Sequence, residues 1–90
     1  MFLRMEMSFI EIKLIGADTS NGMKILKNLR KVEKACNYTF LIDKIPTNKK
    51  NKYNVKVIPT LLIDNKTILS GKVLNEKELS KVIKPLLEAA

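Results

Sequence analysis

The chain has no histidine, no tryptophan, a single cysteine, and only three glycines and three prolines among its 90 residues. The missing histidine excludes the most. It removes the usual general base, the Ser-His-Asp and Cys-His couples, and every zinc site built on imidazole. A lone cysteine, Cys36, cannot close an internal disulfide, which agrees with a reducing compartment, so the cytoplasm is the expected location. Repeats and low-complexity tracts are also missing, so no linker is indicated and a single small domain is expected. No apolar run approaches the ~20 residues of a spanning helix. At the amino terminus Arg4 and Glu6 interrupt Met1, Phe2, Leu3, Met5 and Met7 before a signal-like segment can form. No membrane contact is expected.

Arginine and aromatic residues are scarce too. Arg4 and Arg30 are the only arginines, and the aromatic residues are three phenylalanines and two tyrosines. The net charge of +8 therefore comes almost entirely from lysine, with few of the forked donors that read guanine or the rings that stack on bases. A solvated lysine surface accounts for it, and nucleic acid is not the expected partner. If nucleic acid did bind, Lys44, Lys49, Lys50, Lys52 and Lys56 would carry it.

What is present falls into periodic segments. Phe9 to Ile15 alternates, with Ile10, Ile12 and Leu14 on one face and Glu11 and Lys13 on the other, and reads as a strand covered well on one side only. Gly16 ends it, and Ala17-Asp18-Thr19-Ser20-Asn21-Gly22 is a turn of self-bonding residues leading into a helix over 21–36. That helix carries Ile25, Leu29, Val32 and Cys36 on one stripe and Lys24, Lys27, Lys31 and Lys34 opposite. Residues 38–42 read as a second strand. The stretch 43–54 has few apolar residues and holds at most a short, poorly buried helix, leaving part of one sheet face open.

Tyr53 to Ile63 is the segment around which the rest is arranged. Leu61, Leu62 and Ile63 read as a strand buried on both faces, and Pro59, having no N–H to give a ladder, sets where it begins. A proline at such an entry is a place for a cis bond, here Ile58–Pro59. Asp64-Asn65-Lys66 then makes a tight hairpin into Thr67–Ser70, an edge strand, with Gly71 marking its end or a bulge. Asn75 and Glu78 form a capping box for a last helix whose buried stripe is Leu79, Val82, Ile83, Leu86 and Leu87, with Pro85 tightening or kinking its final turn. The sum is an α/β domain over residues 9–90, in the order β-α-β-(short α)-β-β-α, with a mixed four-stranded sheet. Residues 1–8 are an N-terminal extension or the start of the first strand.

With this order, a turn-to-helix junction after the first strand and Val57-Ile58-Pro59-Thr60 before the third, the chain resembles the thioredoxin fold. It is most similar to small thioredoxin- or glutaredoxin-like proteins of bacteria and archaea, over about Phe9 to Glu88. The resemblance implies a redox pair in a Gly-X-X-Cys-X-X-Cys turn facing a cis proline. Laid on Gly16 to Gly22, that pattern puts the two cysteines at Thr19 and Gly22, and neither is a thiol. Disulfide exchange needs a thiolate and a resolving thiol, and a threonine hydroxyl without a base replaces neither. The plain reading of Thr19 is a helix N-cap, which covers Asp18 and Ser20 as well. Cys36 is expected to be buried and inert, at the helix end where the dipole disfavours a thiolate.

The expectation is therefore a redox-inactive binding module without catalytic residues, cofactor or metal. It would take a protein or peptide at Asp18, Thr19, Ser20, Asn21 and Gly22 together with Ile58, Pro59 and Thr60. Two rivals stand beside it: an oxidoreductase acting through Cys36 or through a partner's thiol, and the lysine-based nucleic-acid binder.

Overall fold

Alternation in the first apolar segment becomes a strand with one closed face. β1 (Phe9–Ile15) buries Ile10, Ile12 and Leu14 and leaves Glu11 exposed between them. The computed structural model describes residues 9–36 and 38–89, so the suggested N-terminal extension 1–8 lies outside the described residues. It continues through α1 (Ser20–Lys34), β2 (Thr39–Ile45), a 3₁₀ segment (Thr47–Tyr53), β3 (Thr60–Ile63), β4 (Lys66–Ser70) and α2 (Glu76–Ala89). The strand order is β2-β1-β3-β4. β1 and β2 run parallel, as a helical crossover requires, while β3 is antiparallel to both β1 and β4.

The two helices close one face. On α1, Gly22, Ile25, Leu29 and Val32 are buried at the spacing of a single helical stripe, and on α2 Leu79, Ile83 and Leu87 do the same. They meet Ile10, Ile12, Leu14, Phe40, Leu61, Ile63 and Leu69 in one cluster. Each fully buried aliphatic side chain there contributes about 1.5–3 kcal/mol relative to exposure. On the other face the buried apolar cluster, among the described residues, is Ile15, Ile45 and Val55, flanked by half-buried Tyr53, Ile58 and Leu62. Its cover, the 3₁₀ segment, buries no residue of its own.

Several boundaries differ from those read off the sequence. β2 extends to Ile45 instead of ending at Ile42, because it pairs with β1 over its whole length and Ile45 is buried beneath the 3₁₀ segment. Leu62 is half-buried, so the apolar run of β3 is not covered on both faces, and the strand begins at Thr60, one residue after Pro59. The hairpin turn is the two-residue type, with Asp64 and Asn65 at φ 50° and 66°. The bulge falls at Ile68, which the register skips opposite Leu61 and Leu62, and not at Gly71. α2 continues through Pro85 to Ala89. Its capping box is formed: the Glu78 N–H donates to Asn75 Oδ1 at 2.8 Å and the Asn75 N–H to Glu78 Oε1 at 2.9 Å.

α1 ends two residues before Cys36, where the Ala35 N–H closes on the Val32 carbonyl and the Cys36 N–H on the Glu33 carbonyl. Cys36 is thus outside the helix and half-buried, not the fully buried end of its stripe. Its thiol reaches back to the Val32 carbonyl at 3.2 Å and packs against the edge of the larger core.

Candidate functional site

At the carboxyl end of β1 the chain must leave the sheet and enter a helix within four residues, and this geometry fixes the site. Gly16 takes φ +90°, a conformation natural to glycine, and its N–H and that of Ala17 both bond the Ile45 carbonyl at the end of β2. Space is equally limiting, since a Cβ on Gly16 would stand 2.1 Å from Ile58 Cγ2. The same contact shows that the β1–α1 turn lies directly against Ile58, bringing together two segments forty residues apart in sequence.

Thr19 is the N-cap of α1. Its hydroxyl donates to the Gly16 carbonyl at 2.7 Å and accepts from the Gly22 N–H at 3.0 Å. Gly22 is buried against the turn, where a Cβ would be 2.1 Å from the Gly16 carbonyl oxygen and 2.9 Å from Ala17 Cα. No side chain of any kind fits at position 22 without a shift of backbone.

Asp18 is exposed, yet its carboxylate is occupied. Oδ1 accepts from the Thr47 N–H at 2.9 Å and from the Thr47 hydroxyl at 2.8 Å, tying the turn to the start of the 3₁₀ segment. The hydroxyl bond first and the amide bond second hold its pKa below the ordinary aspartate value. Ser20 and Asn21 are exposed, with no side-chain hydrogen bond among the described residues.

The facing segment is Val57-Ile58-Pro59-Thr60. The Ile58–Pro59 peptide bond is cis. Val57 is 48% exposed and Ile58 half-buried, while Pro59 and Thr60 are buried. The Thr60 hydroxyl turns back to the Val57 carbonyl at 2.6 Å and approaches the Ser70 hydroxyl at 3.4 Å. Thr60 therefore supports the loop with its hydroxyl turned inward. Pro59 gives its carbonyl to the Gly71 N–H at 2.7 Å, but neither the N–H nor the C=O of Ile58 has a partner among the described residues.

The structure thus brings the two predicted segments together, with Ser20, Asn21, Val57 and the Ile58 backbone as the available groups. Thr19, Asp18, Gly22 and Thr60 hold the shape. Sequence reasoning missed the Asp18–Thr47 tie, because nothing local links residues twenty-nine apart. It also missed a clamp at the far end of α1. There the Phe40 N–H donates to Glu33 Oε2 at 2.6 Å, and Arg30 Nη1 donates to Glu33 Oε1 at 2.9 Å and to the Phe40 carbonyl at 3.4 Å. Burial pushes the Glu33 carboxyl up, but the Phe40 amide and the Arg30 guanidinium outweigh it, and its pKa is lowered. Among the described residues no group of His, Cys, Asp or Glu gathers as a metal site, and no helix is long and apolar enough to cross a membrane.

Residues 10–84 match the family model described as thioredoxin domain. No curated protein matches the chain. Two solved structures share its shape. One, a malarial protein, superimposes with a TM-score of 0.64 at 14% identity over 87% of this chain and 97% of its own. The other is thioredoxin-2, a component of the malaria parasite protein secretion machinery, with a TM-score of 0.59 at 18% identity over 93% of this chain and 88% of its own. At such identities these two show the fold alone.

Proposed function

The chain belongs to the thioredoxin-domain family, and from that premise we propose that it is a redox-inactive member, a module that holds an extended protein or peptide segment in the groove beside Pro59. The observation that carries this reading is the local structure at the positions of the family's redox pair. Thr19 spends both capacities of its hydroxyl on the turn, and position 22 has no room for a side chain. What remains at the groove is backbone. The unpaired Ile58 N–H and C=O suit a short strand laid against them, beside exposed Val57 and the polar side chains of Ser20 and Asn21. Pairing over two or three residues, offset by ordering costs, gives roughly micromolar to millimolar affinity.

An oxidoreductase acting through Cys36 fits the geometry less well. Cys36 lies past the carboxyl end of α1 and Thr19 caps its amino end, so a 15-residue helix, about 22 Å long, separates that thiol from the groove. Two measurements test the proposal. Insulin reduction in dithiothreitol is expected to run at the blank rate, and rate enhancement lost on Cys36→Ser overturns the redox-inactive reading. Amide shift mapping with extended peptides is expected to move Ser20, Asn21, Val57 and Ile58. Salt-sensitive shifts confined to Lys44, Lys49, Lys50, Lys52 and Lys56 would instead support the nucleic-acid reading.

A further inference from the structure

The sheet has two edges, and they are not protected alike. On β4, the outer strand at one side, the bulge at Ile68 breaks the ladder in the middle of a five-residue strand, a common defence against unwanted pairing. On β2, the outer strand at the other side, protection by the described residues stops after one residue. The N–H and C=O of Phe40 are taken by Glu33 and Arg30, so both point away from β1. Backbone groups alternate in direction along a strand, and the carbonyl of Ile45 confirms the phase by bonding inward to Gly16 and Ala17. Ile42 and Lys44 therefore present their N–H and C=O outward, and no hydrogen bond among the described residues engages them. A concavity of about 540 Å³ reaches this stretch at Ile42 and Asp43 and is lined also by Glu11, Lys13, Arg30 and Leu41.

We propose that the open part of the β2 edge, Ile42 to Lys44, is a second binding site, one that adds an extended strand of alternating apolar and acidic residues from a partner protein. The two faces of the sheet set that alternation. On the helix side the edge is flanked by Arg30, about half exposed, and by Lys44, which shares the side of Phe40 and Ile42. Arg30 already holds Glu33 at this edge, so an acidic side chain of an added strand would meet Lys44 as the unengaged cation and share the Arg30 guanidinium. On the open side Leu41 is 46% exposed, and Glu11 and Asp43 outnumber Lys13, whose ammonium is turned to Asn65 Oδ1, so an apolar side chain fits better than an acidic one. A second copy of this chain is a poor occupant, since each carries +8 and would set Arg30 and Lys44 against their own kind. Nucleic acid has no ladder of amides to offer this edge. The site is independent of the groove beside Pro59 and stands or falls without it.

The test uses the whole protein and a synthetic ten-residue peptide alternating valine and glutamate, with a valine–lysine peptide and a ten-nucleotide oligothymidine as controls. Hydrogen exchange followed by NMR is expected to show the Ile42 and Lys44 amides exchanging fast in the free protein and slowed only by the acidic peptide. Lys44→Pro removes one outward donor without touching the β1 ladder and is expected to weaken binding about three- to tenfold. Should that variant fold poorly, Lys44→Gln keeps the amide and is expected to weaken binding less, with the loss shrinking as salt rises. Slow exchange of both amides before any peptide is added would show the edge already covered and end the proposal. So would protection mapping to β4 or to the lysines of α1, an equal response to the valine–lysine peptide or the oligonucleotide, or self-association of the protein alone in sedimentation.

Discussion

The two faces of the sheet were built by different means. Among the described residues, the closed face has two helices whose stripes interlock with seven strand residues in one core, and the open face has a 3₁₀ segment that buries nothing of its own over the small apolar cluster of Ile15, Ile45 and Val55. Most of the stability must therefore reside on the first face, which leaves the second free to carry backbone ties, polar groups and the rim of the candidate groove. Ile58 belongs to the smaller cluster, so the groove's central residue rests on the weaker support. A binding surface placed there can adjust to a partner without loosening the main core.

That contrast predicts unequal costs for the same kind of truncation. Leu29→Ala or Ile83→Ala, both fully buried on the closed face, should cost about 2–5 kcal/mol, read as a shift in the urea midpoint. Ile45→Ala on the open face should fall at or below the low end of that range, since its surroundings can collapse into the cavity. Equal losses at Ile45 and Leu29 would break the comparison.

Much of the closed face was legible in the sequence, because helical and strand periodicities of buried residues are local signals. Ile10, Ile12 and Leu14 announce the covered side of β1, and Leu79, Ile83 and Leu87 that of α2. The open face was harder to read for the same physical reason. Asp43 and Lys44 look like loop residues, yet they belong to β2 because Ile45 has a buried place to go and β1 supplies the ladder. At the site, the N-cap role of Thr19 follows from residue type alone. The closure of position 22 does not, since it depends on how near the turn's own backbone comes. Thr60 looked like a groove residue by its neighbour Pro59, but its hydroxyl faces inward.

The junction between the faces gives the next two effects in size. Gly22→Ala should destabilise by about 1–3 kcal/mol, because the added methyl meets backbone that has no other place to move. The double change Thr19→Cys with Gly22→Cys, which writes the family's motif into the chain, should then give a destabilised protein without insulin reductase activity. Robust activity would show the turn more pliant than its packing implies. Thr19→Ala leaves that packing intact and removes only the cap, at a cost of about 0.5–2 kcal/mol by thermal or urea unfolding.

The smallest effect separates the two faces by pH. Asp18 ties the turn to the 3₁₀ segment on the open side, and Glu33 ties α1 to β2 on the closed side. Both carboxyls titrate below their ordinary values of 3.8 and 4.5 in the folded protein. The unfolded chain therefore takes up protons first as acid is added. A depressed carboxylate pKa contributes stability that is complete above the unfolded value and is lost as pH falls through the folded one. Stability should accordingly be flat from pH 7 to about 5 as far as these two groups are concerned, then decline through pH 4 and below. Glu33→Gln should remove the upper part of that decline and Asp18→Asn the lower part. The Asn variant should also speed amide exchange at Thr47 while leaving Phe40 unchanged, with the reverse for Gln. If either substitution altered exchange at both amides, the two faces would be coupled, and the independence claimed for the groove and for the β2 edge would fail with it.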